Sequence, residues 1–171
     1  MRFPGKTEVV IRGLSSFIDS PEVPEAKALF ALTDAAIAAM EGESAAIRPR
    51  SADGRPGGLI QIDRPWTLVI PDLHARGGFL LGILRSRLAE LPEVSVLDLV
   101  LQGRLSLLCL GDIPHSEGGL AARRWAQAAL RRLDDPGPEG ILNPFMEEEM
   151  RLSLGALALV MRLKVLLGDG F

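Results

Sequence analysis

The chain has 171 residues and a formal net charge of −3; 47% of it is hydrophobic and only 5% aromatic. That length suits a core of aliphatic side chains that buries roughly 70% of the unfolded surface. The acidic balance argues against a protein that tracks nucleic acid backbone. A single cysteine, Cys109, excludes an internal disulfide and fits a reducing, cytoplasmic setting.

In chain order, Met1 to Lys6 leads into a polar stretch without the apolar core of a secretion signal. Residues 1–58 read as a helical and loop extension that carries no nameable motif. Its one predicted helix runs from about Pro24 to Met40, with Leu29, Phe30, Thr33, Ile37 and Met40 on one face and Glu41-Gly42 at the exit. From Ser44 to Gly58 the prolines and glycines spell loop. Leu59 to Ile62 is a short strand candidate that could pair with the next strand, Trp66 to Pro71, by turning at Asp63-Arg64-Pro65.

Gly77-Gly78 opens a predicted helix whose inner face holds Phe79, Leu80, Ile83, Leu84, Leu88 and Leu91, before Pro92. Ser95 is placed to cap a short helix over Val96 to Gln102, with Gly103 at its end. A second apolar strand, Leu105 to Leu110, follows. Strand, crossover helices, strand implies a parallel pair with a right-handed connection. The class is therefore α/β, a parallel-strand-containing sheet flanked by helices.

A helix from about Glu117 to Leu133 ends at Asp134-Asp135-Pro136-Gly137-Pro138. Asn143-Pro144 reads as cap and first position of the last helix, with Glu147, Glu148 and Glu149 at its positive end. That helix carries Met150, Leu154, Leu157, Val160, Met161 and Val165 and stops at Gly168. Its most apolar part, Leu152 to Met161, is too short to span a bilayer.

Only two histidines occur, and each lies just past an apolar strand, close to an aspartate. Trp66 to Pro71 runs into Asp72-Leu73-His74, and Leu105 to Leu110 runs into Gly111-Asp112-Ile113-Pro114-His115. Parallel sheets place their chemistry at these strand ends, and carboxylate with imidazole suits a divalent metal. In extended backbone, positions i and i+2 point the same way, so Asp72 and His74 could grip one ion. The plain alternative is a turn aspartate and a surface histidine. Gly111 would permit the tight turn that presents Asp112.

The segments LVIPDLHAR and LLCLGDIPHSEG together resemble the first two motifs of the calcineurin-like metallophosphoesterase superfamily, Asp-x-His and Gly-Asp-x-x-Asp. The resemblance covers residues 59–171, which read as a partial metallophosphoesterase domain, similar to the N-terminal half of that family's α/β sandwich. It implies that Asp72 and His74 bind one metal and that Asp112 bridges two. It also implies hydrolysis of phosphate esters by a metal-activated hydroxide, with two divalent ions (Mn, Fe or Zn) in a complete relative.

His115 stands where the family has its second aspartate, which implies that it orients or protonates. Arg76 could reach a substrate phosphate, or be a solvated loop residue. No Gly-Asn-His and no Gly-His-x-His follows, so these motifs supply one metal at most, weakly held. The alternative reading is a non-catalytic, degenerate domain of the same type that binds a metal weakly or serves protein interaction. The partners implied are a phosphate-ester substrate, no nucleic acid and no membrane, with association through an exposed sheet edge.

Overall fold

A computed structural model describes residues 6–20, 22–141 and 143–171; the Met1 to Gly5 part of the N-terminal reading lies outside them. The chain runs α1 (Lys6–Asp19), α2 (Ala26–Glu41), β1 (Trp66–Ile70), α3 (Gly77–Arg85), β2 (Arg87–Leu88), β3 (Leu91–Ser95), α4 (Val96–Leu101), β4 (Leu105–Cys109), α5 (Gly119–Asp134), α6 (Pro138–Ile141) and α7 (Pro144–Leu167), then a 3-10 turn, Gly168–Gly170. It is a mixed α/β fold in which a small parallel sheet is flanked by helices.

β1 and β4 pair in parallel, in the register Trp66 with Leu105 through Ile70 with Cys109. The apolar side chains between them explain the pairing. Ile70, Leu105 and Leu107 are buried and join Leu80, Leu84, Val96, Leu97 and Leu99 from the crossover in one core. Parallel strands are usually covered on both faces, but here Val69 of β1 stays 52% exposed, and Trp66, which shares the opposite face with Leu68 and buried Ile70, stays 42% exposed.

The crossover departs from the predicted long helix. α3 stops at Arg85 because Ser86 turns extended while its N–H still closes on Gly82 and Ile83 carbonyls. The chain then forms the small antiparallel pair β2–β3, with an irregularity between Arg87 and Leu88. Leu88 and Leu91 pack against the core all the same. Their spacing satisfies a helix and a hairpin alike, so periodicity alone misled. Ser95 caps α4 as predicted, accepting the Asp98 N–H at 3.1 Å.

The strand expected over Leu59 to Ile62 forms no ladder. Gln61 N–H instead donates to the Ile47 carbonyl, and Arg64 Nη1 donates to the Val100 and Leu105 carbonyls. The supposed hairpin turn is thereby fastened to the ends of α4 and β4.

Helix α1, which the sequence reading did not foresee, buries Ile11 and Leu14 in the shared core and packs on α3 and α7. At its crossing with α7 the backbones touch: a Cβ on Gly155 would lie 2.6 Å from the Phe17 carbonyl oxygen. α7 buries Gly155, Ala156, Ala158, Leu159 and Leu163 rather than the predicted stripe, because α1, α2 and α5 pack around it on several sides. α2 likewise turns Ala36 inward and leaves Phe30 70% exposed.

Beneath α2, Glu43 forms a buried ionic cluster with Arg48 and Lys164. Lys164 also donates to the Gly168 and Phe171 carbonyls. A cleft of ≈ 220 Å³ opens beside it against β4, lined mainly by apolar side chains such as Ile60, Leu107, Val160 and Phe171. Among the described residues, no helix is long and apolar enough to cross a membrane.

Candidate metal centre

Both histidine loops emerge from the same end of the sheet, because parallel β1 and β4 finish side by side. The pairing continues past the strands. Leu110 N–H reaches the Ile70 carbonyl, then His74 N–H reaches the Asp112 carbonyl and Ala75 N–H the Ile113 carbonyl, both at 2.8 Å. Leu73 is fully buried, and Ile113 packs against the core. Each loop is thus held by an apolar residue next to its polar ones.

Four non-glycine residues among those described have left-handed backbone, and all lie in these two loops: His74 (φ 46°), Ala75 (φ 58°), Asp112 (φ 41°) and His115 (φ 44°). Each such residue costs on the order of 1 kcal/mol, and they persist only where surrounding contacts over-determine them. Gly111 precedes with φ 138°, the turn its identity suggested.

His74, Asp112 and His115 each offer a ligand atom, all within 4.8 Å of one another. The two Asp112 oxygens face different rings: Oδ2 lies 4.0 Å from His74 Nδ1 and Oδ1 lies 3.6 Å from His115 Nδ1. The rings meet edge to face with centroids 5.2 Å apart. His74 Nδ1 is sequestered from solvent and has no hydrogen-bond partner. A buried imidazole nitrogen without a partner is costly, and a cation at this point would satisfy it. Two nitrogens and a carboxylate are a donor set that suits Zn, Fe or Mn, so the residues fit one divalent ion.

Asp72 lies outside that group. The i, i+2 argument assumed extended backbone through the first motif, whereas His74 has turned left-handed. Arg76 folds back on its own loop, its Nε donating to the Leu73 carbonyl at 3.1 Å and its Nη2 approaching the Asp72 carbonyl. Burial pushes the Cys109 thiol up, against a hydrogen bond from the Gly111 backbone, and the negative charge of Asp72 adds to the rise.

The second loop is held from behind by α7 and α5. His115 N–H donates to Ser153 Oγ at 2.9 Å, and both the N–H and hydroxyl of Ser116 donate to the Glu149 carboxylate. Ser153 donates to Glu149 as well, and Arg124 binds Ser116 Oγ and faces Glu149 at 3.7 Å. Glu149 is 5% exposed.

The three adjacent glutamates that read alike in the sequence have separate fates. Glu147 lies in the first turn, Glu148 pairs with Arg151 at 2.8 Å, and Glu149 anchors the loop. The signal available was spacing: Glu149 and Ser153 stand one turn apart, on the side of α7 that buries Ala156. Glu117, also missed, brings Oε2 within 3.3 Å of His74 Nε2. No protein-family model, curated protein or solved structure matches the chain.

Proposed function

We propose that this protein is a metal-dependent phosphoester hydrolase of the calcineurin-like kind, and that one divalent ion is held by His74, Asp112 and His115. The observation that carries the metal reading is the buried, partnerless His74 Nδ1, close to a carboxylate and a second imidazole. Support for the reaction class comes from the order of the two motifs and from their position at the ends of parallel strands.

A divalent ion there would supply Lewis acidity and an activated water. The chain's own contribution is placement. Asp112 offers one oxygen toward each imidazole, and His115, at the open rim, is 47% exposed and accessible to a substrate oxygen.

A second reading has one observation in its favour. Among the described residues only one group can hold a metal, and Asp72 is not in it. A domain that binds a single ion without hydrolysis would look the same. Assaying an aryl phosphate with added Mn or Zn separates the two. Metal-dependent turnover that Asp112→Asn abolishes supports the hydrolase; metal uptake with turnover no faster than Asp112→Asn supports the non-catalytic domain.

A further inference from the structure

Glu117 belongs to neither motif, yet it stands against the ring on which the metal reading depends. The His74 side chain is only 11% exposed, and its two nitrogens have different surroundings. Nε2 lies 3.3 Å from Glu117 Oε2, whereas Nδ1 is shut off from solvent and has its nearest carboxylate oxygen, on Asp112, 4.0 Å away. A neutral imidazole carries one proton, and the nitrogen with an acceptor in reach holds it.

We propose that Glu117 is the positioning residue of this centre: it keeps the His74 proton on Nε2 and thereby presents the Nδ1 lone pair to the metal. The proposal rests on the metal reading above and adds to it the ligating atom and the group that selects it. Ligating histidines commonly give their other N–H to a carboxylate, which fixes the ring and raises its basicity.

The geometry suits this division of labour. Nδ1 lies 4.0 Å from Asp112 Oδ2, and the other oxygen of that carboxylate lies 3.6 Å from His115 Nδ1. Glu117 is 60% exposed and sits on the far nitrogen, one residue before Gly118, whose φ of 96° turns the chain into α5. Glu117 is held close by the same loop whose neighbour, Ser116, is anchored to Glu149.

The test reads the tautomer and the affinity separately, on the full chain. Long-range proton–nitrogen correlation spectra of the chelator-treated protein, in mildly alkaline buffer, should show His74 as the Nε2–H form. With only two histidines in the chain, His115→Asn assigns the signals. Cobalt titration followed by its visible absorption should then show Glu117→Ala binding about 10- to 100-fold more weakly, with its His74 tautomers mixed. Glu117→Gln, which keeps an acceptor oxygen, should restore the tautomer and most of the affinity.

Wild-type protein that binds cobalt with His74 in the Nδ1–H form would overturn the role of Glu117 and leave the metal reading standing. So would a Glu117→Ala variant with unchanged affinity. An Nε2–H ring in a protein that takes up no cobalt would instead remove the metal reading, and the choice of ligating atom with it.

Discussion

His74 donates its backbone N–H to the Asp112 carbonyl at 2.8 Å while its Nδ1 faces the carboxylate of the same residue at 4.0 Å. One residue pair therefore joins the two loops through the main chain and forms two corners of the metal group through the side chains. The left-handed backbone of both residues is what allows this double relation. Restoring extended geometry at either residue would swing its side chain away from the other.

Glu149 should matter to stability and to metal affinity together. Removing its carboxylate leaves the Ser116 N–H without its acceptor and the Arg124 guanidinium without its counter-charge behind the second loop. Glu149→Ala should lower unfolding free energy by about 3 kcal/mol, read by urea denaturation, and should weaken cobalt binding because His115 is no longer fixed. A variant destabilised to that degree that binds cobalt as tightly as wild type would show that the loop keeps its geometry without the anchor.

Glu43 sets an acid limit on stability. Burial by itself raises its carboxyl, but the hydrogen bonds and charges of Arg48 and Lys164 outweigh this and hold it below the usual value. A carboxylate depressed in the folded state contributes stability above the unfolded value, about pH 4.3, and loses that contribution as pH falls through the folded value. Glu43→Gln should be less stable at neutral pH by about 2 kcal/mol. Its stability should also fall less steeply than that of wild type below about pH 4. Parallel pH profiles of the two proteins in thermal melts would refute this.

Gly155 is predicted to tolerate no side chain. An added Cβ would sit 2.6 Å from the Phe17 carbonyl oxygen, which is backbone and cannot rotate away. Although alanine favours a helix interior by nearly 1 kcal/mol, separating α1 from α7 should cost more, about 1–3 kcal/mol. Gly155→Ala should therefore melt lower than wild type; a higher melting temperature would mean that α1 and α7 separate at less cost than the helix preference gains.

How much was legible follows from which signals are local. The β1 and β4 strands, the Ser95 cap, the Asn143-Pro144 helix start and the parallel pairing were readable, since each depends on neighbouring residues or on a chirality rule. The α3 end and the α2 and α7 faces were not. Leu84, Leu88 and Leu91 suit a helix or a hairpin equally, and α7 is apolar on most sides because several helices pack around it.

At the site, the strand-end placement of His74 and Asp112 was legible. Asp72 was grouped with them because the sequence does not disclose a left-handed turn at His74. Glu117 and Glu149 were hidden for another reason. Their partners, His74 and Ser116, are brought to them only by the folded loop and by α7.

The central claim is that His74, Asp112 and His115 together hold one divalent ion at the ends of β1 and β4. Crystals grown with zinc and measured at the zinc absorption edge test it directly. An anomalous peak should stand at about 2.0–2.2 Å from His74 Nδ1, from an Asp112 carboxylate oxygen and from a His115 ring nitrogen, and should vanish in Asp112→Asn crystals. Zinc bound elsewhere with these three side chains empty, or a peak unchanged by Asp112→Asn, would contradict the account.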